Sequence, residues 1–196
     1  MPAFFMNKIY IVEGIWHTGK STLINNMRDL YGVIAIAEPV HLYALEPLNS
    51  QSAIDAWYIQ AHMKNLENAY ALVKQKLGNV FIERSILSSI AFTRAYNTLS
   101  FDTENYLEKF AYILNKIYEN TGEPVRIIYL QPYDLELIKK HVERHSYLRK
   151  FNHDKSIRAY NQKLDQLIQE INVEQRAKIL IDPTMEKLDK EMNSHV

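Results

Sequence analysis

The stretch Gly14-Ile15-Trp16-His17-Thr18-Gly19-Lys20-Ser21-Thr22 fills every fixed position of the pattern G-x-x-x-x-G-K-[ST]. The chemistry this pattern serves is phosphate binding. Glycines let the backbone curl so that successive N–H groups point into one concavity, and a helix that starts there adds the positive end of its dipole. Lys20 supplies a cation for the β- and γ-phosphates of a nucleotide, and the Ser21 hydroxyl supplies a ligand for Mg²⁺. The chain has only five glycines and two of them sit in this motif. Gly14, Trp16, His17, Thr18, Gly19, Lys20, Ser21 and Thr22 are therefore the expected nucleotide-binding set. Trp16 and His17 are bulky for a loop that wraps phosphates, and they either face an acceptor or cover the phosphates.

Other residues could complete the chemistry. Glu83 follows the apolar run Val80-Phe81-Ile82, where phosphate-loop enzymes place a carboxylate that helps hold Mg²⁺. Arg84 beside it could stabilise charge on a transferred phosphoryl group and touch the acceptor. Glu38 ends the run Val33-Ile34-Ala35-Ile36-Ala37 and could take the proton of an attacking hydroxyl; the plainer reading is a cap on the turn before Pro39. Trp57, Gln60 and Lys64 stand at i, i+3 and i+7 of a helical pattern. An aromatic with an amide one turn on can stack on and hydrogen-bond a planar base, although a packed Trp with two solvated neighbours explains the same spacing. His141, Arg144, His145, Arg149 and Lys150 gather around another helix end. Two His four residues apart could ligate a metal, but no carboxylate or Cys set completes such a site nearby. Arginines that close over donor phosphates are the better functional reading, against that of a solvated basic helix end. Asn115-Lys116-Ile117-Tyr118 approximates the guanine-reading N-K-x-D, but its fourth residue is Tyr and it lies within a helical pattern, so ATP is the expected donor.

These residues need a scaffold that gathers strand ends. Lys8-Ile9-Tyr10-Ile11-Val12 is a β-rich run before the loop, and 21–30 after it reads as a helix with Leu23, Ile24, Met27 and Leu30 on one face. The run 33–37 has the continuous apolar character of a buried parallel strand. There follow a helix over 51–77 closed by Gly78, a strand over 80–82, helices over 86–96 and 104–120, and a strand over 125–130. Helices over 134–143 and 155–171 and a strand over 178–181 complete the pattern. Glu38-Pro39, Gln131-Pro132 and Asp182-Pro183 end three of the strands. This alternation predicts an α/β three-layer sandwich, a five-stranded parallel sheet with helices on both faces and ligands at its carboxyl edge.

Composition narrows the function. At 196 residues and 47% hydrophobic, the chain is expected to form a single domain over 1–196. Its 23 basic and 23 acidic residues cancel, which argues against a partner that is nucleic acid or a membrane surface and leaves a small anionic ligand compatible. There is no Cys, hence no disulfide and no thiolate metal site. Pro2-Ala3-Phe4-Phe5-Met6 is too short for a signal core, and no apolar segment reaches the ~20 residues of a membrane span. A cytoplasmic location is the expectation.

In order along the chain, Gly14 to Thr22, Glu38-Pro39-Val40, the Gln60 region, Glu83-Arg84-Ser85, Ile127-Ile128-Tyr129-Leu130-Gln131 and an arginine-bearing lid over about 141–154 resemble the deoxynucleoside kinase and thymidylate kinase family of phosphate-loop kinases. The E-P-V and E-R-S segments together point to the deoxynucleoside kinase branch. The resemblance implies ATP-dependent phosphorylation of a nucleoside 5′-hydroxyl, with Mg²⁺. Glu38 would be base, Glu83 and Arg84 would serve Mg²⁺ and the reacting oxygens, and Gln60 would read the base. Arg144 and Arg149 would meet the donor phosphates, and Asp182 would lie by the adenine. It also implies pairing of two copies through helices packed side by side. Thymidylate kinases carry an arginine on the long helix, where this chain has His62 and Lys64. No arginine stands between Arg28 and Arg84 to take a monophosphate in bidentate fashion. A nucleoside acceptor is therefore favoured over a nucleoside monophosphate, with a non-catalytic nucleotide-binding protein as a further alternative.

Overall fold

Alternation of side chains along the strands sorts the helices into two layers. The computed structural model describes residues 7–40, 44, 48–98, 103–144, 154–173 and 177–193. In chain order the elements are β1 (Ile9–Glu13), α1 (Lys20–Tyr31), β2 (Ile34–Ile36), α2 (Gln51–Lys74), β3 (Val80–Glu83), α3 (Ile86–Tyr96), α4 (Glu104–Thr121), β4 (Val125–Tyr129), α5 (Leu135–Arg144), α6 (Asp154–Val173), β5 (Ala177–Ile181) and α7 (Met185–Asn193). The five strands pair in the order β2-β3-β1-β4-β5, and every pairing is parallel. Ile9, Ile11, Val80, Ile82, Val125 and Ile127 point into a core shared with Ile59 and Leu66 of α2, Ile90 of α3, Leu114 of α4, Val142 of α5 and Leu164 of α6. Their neighbours Tyr10, Val12, Phe81, Ile128 and Leu180 point the other way, against Ile24 and Met27 of α1 and Leu188 and Met192 of α7. This is the three-layer α/β arrangement expected from the pattern. Each such aliphatic side chain contributes about 1.5–3 kcal/mol by leaving water.

Local signals set most helix ends. Ser50 accepts a hydrogen bond from the Ala53 amide at 3.1 Å to start α2, and the Ser85 hydroxyl accepts from Leu87 N at 3.2 Å to start α3. Gly32 and Gly122 close α1 and α4 in the left-handed conformation. The long helix stops at Lys74 rather than 77 because Lys76 already turns left-handed, with φ 58°. One helix, α7, has no counterpart in the sequence-based expectation. Among the described residues, no helix is long and apolar enough to cross a membrane.

What seats α7 is charge. Arg126 lies on the thinner face of β4 and its guanidinium is buried. Its Nε pairs with Glu191 Oε1 at 2.8 Å, its Nη2 with Glu123 Oε2 at 2.5 Å, and its Nη1 donates to Pro124 O at 2.7 Å. Lys8 Nζ donates to the Glu191 carbonyl at 2.8 Å, and Lys178 Nζ donates to Glu191 Oε2 at 2.6 Å. Desolvation pushes the Glu191 pKa up, but the hydrogen bonds from Lys178 and Arg126 outweigh it and hold the carboxyl below its ordinary range.

Removing one partner of a buried ion pair strands the other. Glu191→Ala should cost about 3 kcal/mol in denaturant unfolding, whereas Lys178→Ala, whose side chain is half exposed, should cost under about 1 kcal/mol. Because the folded Glu191 pKa lies below the unfolded one, its contribution is present above the unfolded pKa and fades as pH falls through the folded value. The stability gap between wild type and Glu191→Gln should therefore narrow in acid.

Candidate active site

β1 delivers the chain into the phosphate loop at Gly14, where φ is 145°. A Cβ there would lie 2.5 Å from Thr18 Oγ1 and 2.6 Å from the Leu130 carbonyl, so glycine is required for backbone reasons as well as steric ones. Thr18 Oγ1 donates to the Ile15 carbonyl at 3.1 Å, and Lys20 Nζ donates to the same oxygen at 2.7 Å, which curls the loop on itself. Gly19, at φ 90°, opens α1, on which Ser21 and Thr22 are exposed. Trp16 packs its indole between α3 and α6, with ring centroids 5.8 Å from Phe92, 6.2 Å from Tyr96 and 5.2 Å from Tyr160. His17, left-handed at φ 58°, stacks on His141 of α5 at 4.7 Å. Both bulky loop residues are thus turned toward neighbouring helices.

The strand ends gather beside this loop. Ser21 Oγ donates to Glu83 Oε1 at 2.6 Å. Arg84 is buried; its Nε lies 2.9 Å from Glu38 Oε2, and its Nη1 donates to Tyr160 Oη at 2.8 Å and to Ser88 Oγ at 3.2 Å. Asp182 joins the ends of two strands. Its Oδ1 accepts from Gln131 N at 3.0 Å, and its amide donates to the Tyr129 carbonyl at 3.0 Å. Arg144 is exposed at the end of α5. Arg149, and with it 145–153 of the expected lid, lies outside the described residues.

On α2 the buried face is Asp55, Ile59, His62 and Leu66. Trp57 is half-buried, edge-on to Tyr58 at 5.3 Å. Gln60 and Lys64 are exposed, and Lys64 pairs with Glu67 at 3.3 Å. The structure therefore brings Lys20, Ser21, Glu38, Glu83 and Arg84 together, while Gln60 and Lys64 stand exposed on α2.

Three further residues belong to this region, of which Glu13 and Tyr160 escape sequence reasoning. Glu13, fully buried at the end of β1, accepts from Ser85 N at 2.7 Å, from Ser85 Oγ at 2.6 Å and from Ser88 Oγ. A carboxylate ending an apolar strand was its available signal, the same one that marks Glu83. His62 is buried, and desolvation, with Arg84 adding to it, lowers its pKa to about 3 and keeps the imidazole neutral. Tyr160, on α6, carries no sequence signal.

Among the described residues no group of three or more His, Cys, Asp or Glu could hold a metal ion. Ser21 and Glu83 offer two hard oxygens, the partial set that Mg²⁺ takes when phosphates and water supply the rest. The loop's cation is tuned too. Burial first, and the charge of Arg84 second, lower the Lys20 pKa to about 7, against the opposing pull of Glu38, Glu83 and Glu13.

At about pH 8 the free Lys20 amine is therefore mostly neutral, while bound phosphates favour the ammonium. Binding of magnesium-ATP should take up close to one proton at that pH. Calorimetric titration in two buffers of different ionisation enthalpy reads this directly. The uptake should shrink toward about pH 6 and vanish in Lys20→Arg; heats independent of buffer at pH 8 would contradict it.

The fold resembles that of a deoxyadenosine kinase from M. mycoides, solved with bound dATP, at TM-score 0.60 and 18% identity over 95% of this chain and 98% of that one. A thymidylate kinase from Candida albicans aligns at TM-score 0.57 and 18% identity, over 95% of this chain and 89% of its own. The YorR protein of Bacillus subtilis, solved with phosphorylated GDP, gives TM-score 0.57 and 14% identity over 96% and 100%. At such identities these likenesses speak for the fold. A search of curated protein sequences returned no significant match. The sequence itself matches the deoxynucleoside kinase family over residues 10–191, nearly its whole length and every element from β1 to α7, and the chain belongs to that family.

Proposed function

We propose that this chain, as one domain over 1–196 with a lid at about 141–154, transfers the γ-phosphoryl group of ATP to the 5′-hydroxyl of a (deoxy)nucleoside in the cytoplasm. The observation that carries this reading is the Glu38–Arg84 pair at 2.9 Å, beside the Ser21–Glu83 contact at 2.6 Å. In it a carboxylate and a guanidinium stand at strand ends next to a phosphate loop. The Glu38 side chain is 37% exposed and that of Arg84 5%, so an arriving hydroxyl meets the carboxylate first.

In this reading Gly14 to Thr22 hold the donor phosphates, and Lys20 leaves the Ile15 carbonyl to neutralise them. Ser21 and Glu83 would hold Mg²⁺, which when bound offsets charge on the phosphoryl oxygens. Glu38 accepts the hydroxyl proton, and Arg84 stabilises the transferred group. Arg144 and Arg149 would close over the donor, Asp182 would border its adenine, and Trp57 and Gln60 would contact the acceptor base. An unphosphorylated acceptor is favoured because the Nε edge of Arg84 is already taken by Glu38. A dianionic acceptor would approach that carboxylate and be repelled.

A panel of nucleosides and nucleoside monophosphates assayed for ADP release tests the reading. Turnover with a nucleoside supports it; turnover with monophosphates only makes the chain a kinase of the thymidylate type, and ATP binding without any turnover makes it a nucleotide-binding protein. Glu38→Gln should lower kcat about 100-fold or more while magnesium-ATP still binds. Lys20→Ala should lose donor binding and turnover together. Near-normal kcat in Glu38→Gln would remove it as base.

A further inference from the structure

We propose that Tyr160 is a positioning residue that aims the Arg84 guanidinium and couples it, through Trp16, to the state of the phosphate loop. The proposal rests on the kinase reading for its catalytic consequence and on geometry alone for the coupling. Arg84 sits at φ 66°, a backbone conformation that a long side chain adopts only under constraint, and its head is held by Glu38, Ser88 and Tyr160.

Two of these anchors are committed elsewhere. Glu38 is the group that takes up a proton, and once protonated it loses its ionic hold on Arg84. The Ser88 hydroxyl gives its own proton to Glu13. The Tyr160 hydroxyl, which also hydrogen-bonds with Ser88, takes no part in the proposed proton transfer. It is buried, and burial pushes its pKa up, so it stays a neutral hydroxyl that accepts from Arg84 Nη1 at 2.8 Å.

The ring of Tyr160 does a second thing. It lies 5.2 Å from the Trp16 ring at 60° and 5.8 Å from Phe92 at 88°, while Trp16 also meets Phe92 and Tyr96. A variable position of the phosphate loop is thereby wedged into α3 and α6, in contact with the residue that holds Arg84. When phosphates fill the loop and Lys20 moves off Ile15, any rotation of Trp16 is felt at Tyr160. Interlocked aromatic packing transmits such a shift because it has few intermediate arrangements.

Tyr160→Phe removes one oxygen and keeps the ring, which separates the two roles. It should lower kcat about tenfold, the scale of one hydrogen bond to a charged group, with KM for ATP and the melting temperature little changed. Arginine side-chain ¹⁵N spectra supply a readout that needs no turnover. Wild type should show slow rotation of the Arg84 guanidinium, Tyr160→Phe fast rotation, and magnesium-ADP, at concentrations shown by calorimetry to saturate each protein, should shift the Arg84 Nε signal in wild type but not in Trp16→Ala. If no acceptor is turned over yet the spectra behave this way, the kinase reading fails and the positioning role stands. Unaltered Arg84 rotation in Tyr160→Phe, or unaltered kcat in an active enzyme, overturns the positioning role; an ADP-induced shift that persists in Trp16→Ala overturns the coupling.

Discussion

A carboxylate sealed from water holds the strand ends in place. Glu13 is fully buried, and burial raises its pKa against the pull of the Ser85 and Ser88 hydrogen bonds and of the Arg84 and Lys20 charges. A buried anion costs several kcal/mol unless its oxygens are filled, so the hydroxyls of Ser85 and Ser88 and the amide of Ser85 have little freedom. Ser85 is at once the cap of α3 and the residue after Arg84, and Glu13 is the residue before Gly14. One side chain therefore fixes the distance between the donor loop and the guanidinium. The amide of Arg84 reinforces it by donating to the Val12 carbonyl at 3.0 Å.

The electrostatics around this carboxylate are balanced rather than extreme. Lys20 and Arg84 face Glu13, Glu38 and Glu83 across a small region. Burial and the charge of Arg84 pull the Lys20 pKa down, and the three carboxylates oppose them. An arriving polyphosphate replaces internal counter-charges instead of meeting a bare cation.

Much of this was legible from the chain because the signals were local. The phosphate loop is an eight-residue pattern, the strands are period-2 or continuous apolar runs, and the ends of α1 and α4 are marked by glycines. Contacts made at long range were not legible. Glu13 reaches Ser85 across 72 positions and Arg84 reaches Tyr160 across 76, and nothing in the spacing of those residues announces the meeting. The face of α2 was ambiguous for another reason. The helix spreads apolar residues around much of its circumference, so periodicity does not single out the packed row Asp55, Ile59, His62 and Leu66; packing does. Helix α7 escaped notice because it offers few apolar positions, with Leu188 and Met192 among those it buries, and is seated by ions from distant strands.

That last feature bears on how the molecule comes off the ribosome. Lys8 precedes its Glu191 partner by 183 positions, and at roughly 5–20 residues per second of synthesis that interval lasts on the order of ten seconds or longer. Until then Arg126 has Glu123 but not Glu191 as its counter-charge, and the strip around Tyr10, Val12 and Ile128 lacks Leu188 and Met192 as cover. Vectorial growth can assemble the parallel sheet only up to an open-faced intermediate, one exposed to chaperone capture, and closure waits for α7.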